Sequence, residues 1–523
     1  MTNDAALPLA PPSSRRGWWL SAIALSVVYA LSVNNQWAIS PDGALYLTLG
    51  RSLAEGRGME FNGAQWWGIP PVLPLLIAAC RLAVGSNYWL VNLLLSACGV
   101  LMAWLAARTV ERRGARDLAI PVFLITGFSA YLFITSTRIQ TDVLFACLVA
   151  LGLYGFVCAA SGSSAWAAVG GALALLAAVM TRLPGLIFLV GAVAGLLLTF
   201  WRPGYVWRVL AAVLAAVVAG AVFWLWAHHI RTLAPPGAAD YLEAVQIHST
   251  TSLQILGATF LKGLRNFPTA IFAAILGQQI TLWVTLWPTL LILLGFVVLA
   301  QRRQWILILP VIFYIGFLLV WGQSAVARRY LLPAMPYLVY ALLVGVQTAA
   351  AWLRRHRPAP ALVRPAGRTA ILIVTVLCLA ISLPKIGREI FWMRHPRFYG
   401  VLEHGRWQGV VDMAEYLRRQ GHPETDEVVT PEGSVVHYLS GLRFAVRPIW
   451  QNHGPWDPNA IPPAIYAKAA VESGAQFVAV PTDKKEWSPA AMDRLAATGV
   501  FRTPPTSFNG LALFERLPPP GPP

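Results

Sequence analysis

Long apolar runs alternate with short charged segments over most of the chain. A helix needs about 20 mainly apolar residues to cross the hydrocarbon core of a bilayer, and runs of about this length recur from residue 17 to residue 384. The pattern predicts an α-helical polytopic membrane protein with about eleven transmembrane helices and additional surface helices. The runs end near Ala38, Ala107, Ser136, Ala160, Met180, Phe200, Ala227, Ala300, Trp321, Trp352 and Pro384.

One further apolar stretch, residues 70–85, is assigned by the positions of the arginines. Cytoplasmic loops are enriched in lysine and arginine. If this stretch crossed the membrane, the basic turn "ARTVERRGARD" after it would lie outside. We therefore predict that it lies along the outer surface, because the basic clusters then become cytoplasmic. The N-terminus is then inside and the C-terminus outside.

This orientation divides the chain into three parts. Residues 1–16 form a cytoplasmic tail, and residues 17–387 form a transmembrane domain with outer-face segments at 39–88, 228–279 and 322–330. After about Lys385, short helical and strand patterns alternate, as in an α/β domain. We predict a small extracytoplasmic α/β domain over residues 388–523, with a disordered proline-rich tail. Its first helix places one apolar stripe on Val410, Met413, Ala414 and Leu417.

Composition agrees with a membrane protein. The chain is 57% hydrophobic and 12% charged, whereas soluble domains carry about 25% charged residues. The net charge of +17 is spread between apolar runs, which favours membrane orientation over nucleic-acid binding. All five cysteines lie in apolar segments and none forms a C-x-x-C pair, so neither a disulfide framework nor a zinc site is indicated.

The polar stretch "ISPDGALYLTLGRSLAEGRG" interrupts the apolar pattern after the first span. Leu45, Leu49 and Leu53 recur at four-residue spacing, and Arg51 with Glu55 makes an i, i+4 pair, so the stretch predicts an amphipathic surface helix. Proline suits the first helical position, and Ser40 or Asp42 can cap the helix. Asp42 is therefore either a helix cap or a residue that takes part in a reaction.

A second acidic residue, Asp142 in "STRIQTDVLF", stands at the outer mouth of a later span. It too can be explained as a cap or an interfacial charge. However, Asp42 and Asp142 fall on the same side of the membrane, and acidic residues are few in the first half of the chain. Ionisable groups at this depth are costly and usually functional. We therefore expect Ser40 to cap the helix and Asp42 to face a substrate.

The order of these segments resembles a known group of enzymes. The apolar first span, "PDGALYLTLGRSLAEG", "WGIPPVLPLLIAACRLAVG", "ARTVERRGARD" and "TRIQTDVLF" follow one another as in the bacterial membrane glycosyltransferases of the GT-C fold. The branch it resembles includes protein O-mannosyltransferases and lipid A aminoarabinose transferases. The resemblance covers residues 17–200, and "RRYLLPAMPYLVYALL" adds a further family-like stretch.

The resemblance implies an activity. Such an enzyme takes a sugar from a polyprenyl phosphate carrier and passes it, with inversion, to a lipid, glycan or protein acceptor on the outer side of a bacterial inner membrane. Asp42 occupies the position of the catalytic base, which accepts the proton of the acceptor hydroxyl. Asp142 occupies a second acidic position, which orients the substrate or stabilises developing positive charge.

A lipid phosphate as leaving group calls for cations at the membrane surface. Arg328 and Arg329 suit this role, because a guanidinium can hold two phosphate oxygens at once. Each further cation is also explained by snorkelling to lipid head groups; these are Arg138, Arg182, Lys262 and Arg265. Candidates for contacting the substrate are Tyr46, Gln65, Trp66, Trp67 and Tyr330, although the two tryptophans also suit an interfacial aromatic belt.

The residues allow more than one interpretation of the cofactor and of the function. Asp42 and Asp142 either act alone or share a divalent metal ion. No nucleotide is expected, because the sequence has no Walker-type loop and its inner loops are short and basic. A transporter or lipid flippase is the main alternative, but such proteins often have inverted repeats and midplane ionisable groups, and no internal repeat is found. A binding or assembly protein acting through its outer domain is another.

Overall fold

The structure is a computed structural model, and it describes most of the chain. The described residues are 15–65, 69–161, 165–200, parts of 213–229, 253–278, 280–320, 327–356, 366–394, 406–420, 426–430, 433–444, 463–482, 487–509 and 511–518.

Helices dominate the described part of the chain up to residue 394, where the only strands form one short hairpin. They are α1 (Arg15–Ala30), α2 (Pro41–Ala54), α3 (Val72–Val84), α4 (Trp89–Arg112), α5 (Arg116–Gly127), α6 (Ala130–Ser136), α7 (Thr141–Ala160), α8 (Ala165–Val179), α9 (Gly185–Phe200), α10 (Leu253–Leu276), α11 (Leu282–Gln301), α12 (Trp305–Val320), α13 (Ala327–Tyr330), α14 (Met335–His356) and α15 (Ala366–Met393). The hairpin strands are β1 (Glu60–Phe61) and β2 (Ala64–Gln65).

Five of these helices, α4, α7, α11, α14 and α15, are long and apolar enough to cross a membrane. The pair α5 and α6 passes the same test together but is bent by 55°. Four other apolar helices, α3, α8, α9 and α12, are shorter. Within the described residues, length and composition therefore give five or six spans, and the figure of about eleven stays a prediction. The run ending near Ala227 lies largely outside the described residues.

The bend between α5 and α6 has a local cause. Ser129 caps α6, because its hydroxyl oxygen accepts a hydrogen bond from the Leu132 N–H. The same hydroxyl donates to the Ala274 carbonyl oxygen at 2.9 Å. A capping side chain starts a new helix instead of continuing the old one. The single apolar run predicted to end near Ser136 is thus two helices.

Helices α10 and α15 lie within or across two predicted segments. The predicted outer segment 228–279 contains a 24-residue helix, α10, over its second half. The predicted domain boundary at 387 falls inside α15, which continues to Met393. Ile386 and Met393 are buried in the same cluster as Leu25 of α1, so packing extends this helix past the point where the composition changes.

The C-terminal part contains the described helices α16 (Arg406–Gln420), α17 (Gly433–Ser440), α18 (Pro463–Glu472) and α19 (Trp487–Ala497). Its strands are β3 (Glu427–Val429), β4 (Arg443–Phe444), β5 (Phe477–Pro481), β6 (Thr506–Phe508) and β7 (Leu511–Glu515). They form one sheet in the order β4-β3-β5-β7-β6, in which β4, β3 and β5 are parallel and the last two pairings are antiparallel.

This sheet is covered on both faces. Every residue of β5 is buried, as its continuous apolar sequence requires. Phe477 and Ala479 belong to one apolar cluster, which includes α16 and α17, while Val478 and Val480 belong to another, which includes α18 and α19. The stripe predicted on α16 is fully buried: Val410, Met413, Ala414 and Leu417 are each 0% exposed.

Helix α2 lies between the membrane helices and this sheet region. Ala44 and Leu47 are buried in a cluster that also contains Leu73 of α3 and Val436 of α17. More of α2 is therefore buried than the predicted leucine stripe, because a second layer covers it. The predicted pairing of Arg51 with Glu55 is wrong: Glu55 pairs with Arg57, and the Arg51 guanidinium lies 5.3 Å from the centre of the Tyr438 ring.

Candidate active site

At the start of α2, Ser40 and not Asp42 supplies the helix cap. Ser40 has extended backbone angles, and its hydroxyl oxygen accepts a hydrogen bond from the Gly43 N–H at 3.1 Å. Pro41 occupies the first turn, where its missing N–H costs nothing. Because Ser40 supplies the cap, the carboxylate of Asp42 is left for another contact.

The start of α7 also has an aspartate in its first turn, but its capping residue differs. Gln140 is the capping residue, but its side chain makes no capping hydrogen bond, and Asp142 lies in the first turn. Asp42 and Asp142 are thus each the second residue of a helix, where the helix dipole stabilises a negative charge.

A glycine allows these two helix starts to approach. A Cβ atom on Gly43 would lie 2.7 Å from Trp37 Nε1 and 3.3 Å from the Ile139 carbonyl oxygen. The first turn of α2 therefore rests directly on the backbone that leads into α7. A larger residue at position 43 would have to displace the Trp37 ring or the Ser40 hydroxyl and would crowd the Ile139 carbonyl oxygen.

Arg329, on the short helix α13, joins the two carboxylates. Its Nη2 lies 2.6 Å from Asp42 Oδ2, and its Nε donates to Asp142 Oδ2 at 2.7 Å. One planar guanidinium thus holds both acids through two of its donors, a geometry that arginine's rigid fork favours.

A second arginine completes the group. Arg182, in the turn between α8 and α9, forms an ion pair with Asp142 Oδ1. Its guanidinium also lies 4.7 Å from the centre of the Tyr330 ring, within the range of a cation–π contact. We call Asp42, Asp142, Arg182 and Arg329 the carboxylate–arginine cluster.

Asp42 and Asp142 differ in how deeply their side chains are buried, and this limits the role that each can have. The side chain of Asp142 is 0% exposed, whereas that of Asp42 is 28% exposed. Burial disfavours the charge of Arg329, but the carboxylates of Asp142 and Asp42 outweigh it and raise the pKa of Arg329 well above its usual range. The cluster therefore presents one accessible carboxylate, Asp42, beside a permanently charged arginine.

The other predicted cations lie on three further segments. Arg138 is half-buried in the turn that precedes α7. Lys262 and Arg265 are exposed on α10, and none of the ion pairs among the described residues joins them to the cluster. Arg328 belongs to α13, but its side chain lies outside the described part of the structure.

The predicted substrate contacts are divided in the same way. The Tyr330 ring contacts Arg182, and its carbonyl oxygen accepts a hydrogen bond from the Tyr314 hydroxyl at 2.7 Å. Tyr46 packs among apolar side chains next to Leu49 and Phe61. Gln65 is exposed on β2, where its side-chain amide donates to the Arg57 carbonyl oxygen at 2.8 Å. Trp66 and Trp67 lie outside the described residues.

Three contributions were not identified from the sequence. Gly43 sets the spacing of the helix starts, and only its position beside Asp42 hinted at this. Trp37 Nε1 and Thr141 Oγ1 are buried and have no hydrogen-bond partner among the described residues. Trp37 abuts Gly43, and Thr141 precedes Asp142, so both polar atoms belong to residues beside the cluster.

The suggested sharing of a metal ion by Asp42 and Asp142 does not suit this donor set. The Arg329 guanidinium already bonds to both carboxylates. Among the described residues, no group of three or more histidine, cysteine, aspartate or glutamate side chains is placed to hold a metal ion. A divalent ion between the two acids would therefore have to displace the Arg329 guanidinium.

Among known proteins, solved structures match this chain, whereas family models and curated proteins do not. No family model matches the chain. No curated protein matches it. Solved structures do match. ArnT from Cupriavidus metallidurans in the apo state has a TM-score of 0.58 at 15% identity, over 97% of this chain and 99% of that one. Its structure bound to undecaprenyl phosphate has a TM-score of 0.56 at 15% identity, over 96% and 99%.

An archaeal protein shares the same architecture. The oligosaccharyltransferase AglB from Archaeoglobus fulgidus, in complex with an inhibitory peptide and a dolichol-phosphate, has a TM-score of 0.54 at 13% identity, over 94% of this chain and 73% of that one. ArnT and AglB are both glycosyltransferases of the GT-C fold. The chain therefore has the GT-C fold, which confirms the prediction from its sequence. The fold and the apolar helices together are those of a multi-pass membrane protein.

Proposed function

We propose that this protein is a membrane glycosyltransferase that moves a sugar from a polyprenyl phosphate carrier to an acceptor on the extracytoplasmic side of a bacterial inner membrane. The observation that carries the proposal is the partly exposed Asp42 carboxylate, held 2.6 Å from Arg329 at the start of a capped helix. The GT-C fold supports it, since ArnT and AglB are seen with undecaprenyl phosphate and a dolichol-phosphate respectively.

In the proposed reaction, Asp42 accepts the proton of the acceptor hydroxyl. The acceptor oxygen bonds to the anomeric carbon, and the bond from that carbon to the phosphate oxygen breaks. Its electron pair leaves with the polyprenyl phosphate. An attack opposite to the leaving group inverts the anomeric configuration. Asp42 suits the base role because it is both accessible and fixed in direction.

The remaining members of the cluster position Asp42 in this proposal. Asp142 is inaccessible and holds Arg329 and Arg182, so it acts through the arginines. Arg329 holds the Asp42 carboxylate in one orientation before the acceptor arrives. Arg328 and Arg329 also remain the proposed contacts of the lipid phosphate, because α13 carries both of them and Arg329 lies next to Asp42.

The proposal is tested by transfer of label. Membranes containing the wild type, Asp42→Asn or Asp142→Asn are supplied with radiolabelled polyprenyl-phosphate sugars, and the label is followed into lipid, glycan and protein fractions. We expect transfer from at least one donor by the wild type and a loss of transfer in both variants. No transfer from any donor, combined with movement of the intact donor across the membrane, would instead indicate a flippase.

A further inference from the structure

A polar cavity of about 500 Å³ lies at the other end of α2, between this helix, the β1–β2 hairpin and the C-terminal sheet region. We call it the basic pocket; the side chains that define it are Arg51, Arg57, Glu60, Asn62, His437 and Arg443. Along α2 it is separate from the carboxylate–arginine cluster, because Arg51 is nine residues, or about 13 Å, from Asp42.

The walls of this pocket are held in place by specific contacts. The hairpin turns at Asn62 and Gly63, which both have positive φ as a tight two-residue turn requires. The Asn62 N–H donates to His437 Nε2 at 3.2 Å. His437 Nδ1 consequently carries the proton and donates to the Leu442 carbonyl oxygen at 2.7 Å. The tip of the hairpin is thus fixed to the C-terminal region.

Two arginines face this space without a carboxylate partner among the described residues. The Arg51 guanidinium lies over the Tyr438 ring, whose hydroxyl is hydrogen-bonded to the Tyr88 hydroxyl at 2.6 Å. The Arg443 side chain crosses Gly63, where a Cβ atom would lie 2.5 Å from its Nε. Neither arginine takes part in an ion pair among the described residues, in contrast to Arg57, which pairs with Glu55 and Glu60.

The charge, volume and polarity of the basic pocket favour one kind of ligand. Two unpaired guanidiniums favour an anion that can accept several hydrogen bonds, and phosphate is such an anion. Ligand pockets typically measure about 300–1,000 Å³, so this one has room for a sugar-sized group beside the phosphate. Both nitrogens of His437 are engaged, which makes it part of the wall. We propose that the basic pocket binds a phosphorylated hydrophilic group, with Arg51 and Arg443 as its cationic contacts.

The binding experiment uses the full-length protein in phosphatidylcholine nanodiscs, with glucose 1-phosphate as the probe and glucose as the uncharged comparison. Calorimetry should show saturable binding of glucose 1-phosphate and none of glucose. Arg51→Gln or Arg443→Gln should weaken binding by about tenfold or more, because each removes charge-assisted hydrogen bonds. The matched control is Arg502→Gln, an exposed arginine paired with Glu515 elsewhere in the same sheet region, which should bind as the wild type does.

A second arm distinguishes a free sugar phosphate from a lipid head group. Nanodiscs containing phosphatidate should suppress glucose 1-phosphate binding in the wild type if a lipid phosphate reaches the pocket, and should leave it unchanged if the ligand is soluble. Either result, with the arginine dependence, supports the proposal. Absence of binding in both arms, or equal binding by wild type and both glutamine variants, would overturn it.

Misfolding is controlled with a charge-preserving pair. If a glutamine variant unfolds at a lower temperature than the wild type, Arg51→Lys and Arg443→Lys replace it, and we expect them to bind more weakly than the wild type. The proposal is independent of the transfer reaction, because Arg51 and Arg443 do not belong to the carboxylate–arginine cluster. Normal binding by the lysine variants would contradict recognition by guanidinium groups.

Discussion

The two ends of α2 carry charged residues in opposite circumstances. At its start, Asp42 meets Arg329 in a group whose other acid, Asp142, is completely buried. At its end, Arg51 rests on an aromatic ring and faces a water-accessible cavity. Taking charges out of water is expensive, so buried charges must be paired, whereas a charge at the edge of a cavity can stay available.

This contrast separates two kinds of site. Within the cluster, positive and negative groups match, and the arrangement fixes the direction of one reactive carboxylate. In the basic pocket, Arg51 and Arg443 have no carboxylate partner among the described residues, and we propose that they bind an anionic ligand. One helix thus connects a site suited to chemistry with a site suited to recognition.

Asp42→Asn should lower sugar transfer by about 10²- to 10⁴-fold, the usual contribution of a general base. The fold should persist, because Ser40 provides the cap and Arg329 keeps its contact with Asp142. Label transfer in membranes measures the effect. The matched control is Asp117→Asn, another acid in the first turn of a helix, which is exposed on α5. Transfer at the wild-type rate by Asp42→Asn would show that Asp42 has no role as a base.

Asp142→Asn should destabilise the protein by about 3–5 kcal/mol, because it leaves Arg182 and Arg329 without a buried counter-charge. Unfolding of the purified protein in detergent measures this. Adding Arg182→Gln should recover part of the loss. By comparison, Glu415→Gln removes only exposed ion pairs on α16 and should cost about 0–1 kcal/mol. Equal effects of the two single variants would argue against a buried cluster.

Gly43→Ala should cost about 1–3 kcal/mol and should reduce transfer, because the added methyl group cannot fit between Trp37 and the backbone at Ile139. Stability and transfer are measured together. Gly316→Ala on α12 is the control, since a Cβ atom there has nothing within 4 Å among the described atoms. If Gly43→Ala behaves like this control, the spacing of the helix starts does not depend on position 43.

Acid should loosen the contact between the hairpin and the C-terminal region. Burial, together with Arg51 and Arg443, lowers the pKa of His437, although the Leu442 carbonyl and Glu60 oppose this. A lowered pKa means that stability is fully present above the unfolded value of about 6.5 and is lost as the pH falls towards the folded value. Protonated His437 also cannot accept the Asn62 N–H.

Hydrogen exchange at the Asn62 amide measures this effect, and exchange should accelerate as the pH falls below about 6.5, beyond its intrinsic pH dependence. His437→Gln should remove the additional acceleration. His356→Gln, which changes an exposed histidine at the end of α14, should leave it in place. Identical pH profiles in all three proteins would show that His437 does not hold the hairpin.

Local patterns in the sequence were sufficient for much of the fold. The stripe on α16 and the buried strand β5 follow from periodicity, which depends only on neighbouring residues. The cap at Ser40 follows from local chemistry too. Prediction was less accurate where partners are distant in sequence. The expected contact of Arg51 with Glu55 is replaced by Tyr438, and α15 continues past the predicted boundary because Ile386 and Met393 are buried in a cluster with α1.

Hydrophobic periodicity and helix capping are local properties, so the sequence was enough to predict that apolar helices would span a membrane and that Asp42 would stand at the start of a capped helix. It also indicated Asp142, Arg182 and Arg329 as separate candidates. The folded protein shows in addition that these four side chains meet, and that Asp142 is closed to solvent whereas Asp42 is not. The physical reason is that ion pairing and burial depend on segments up to 287 residues apart, whose approach is decided by packing.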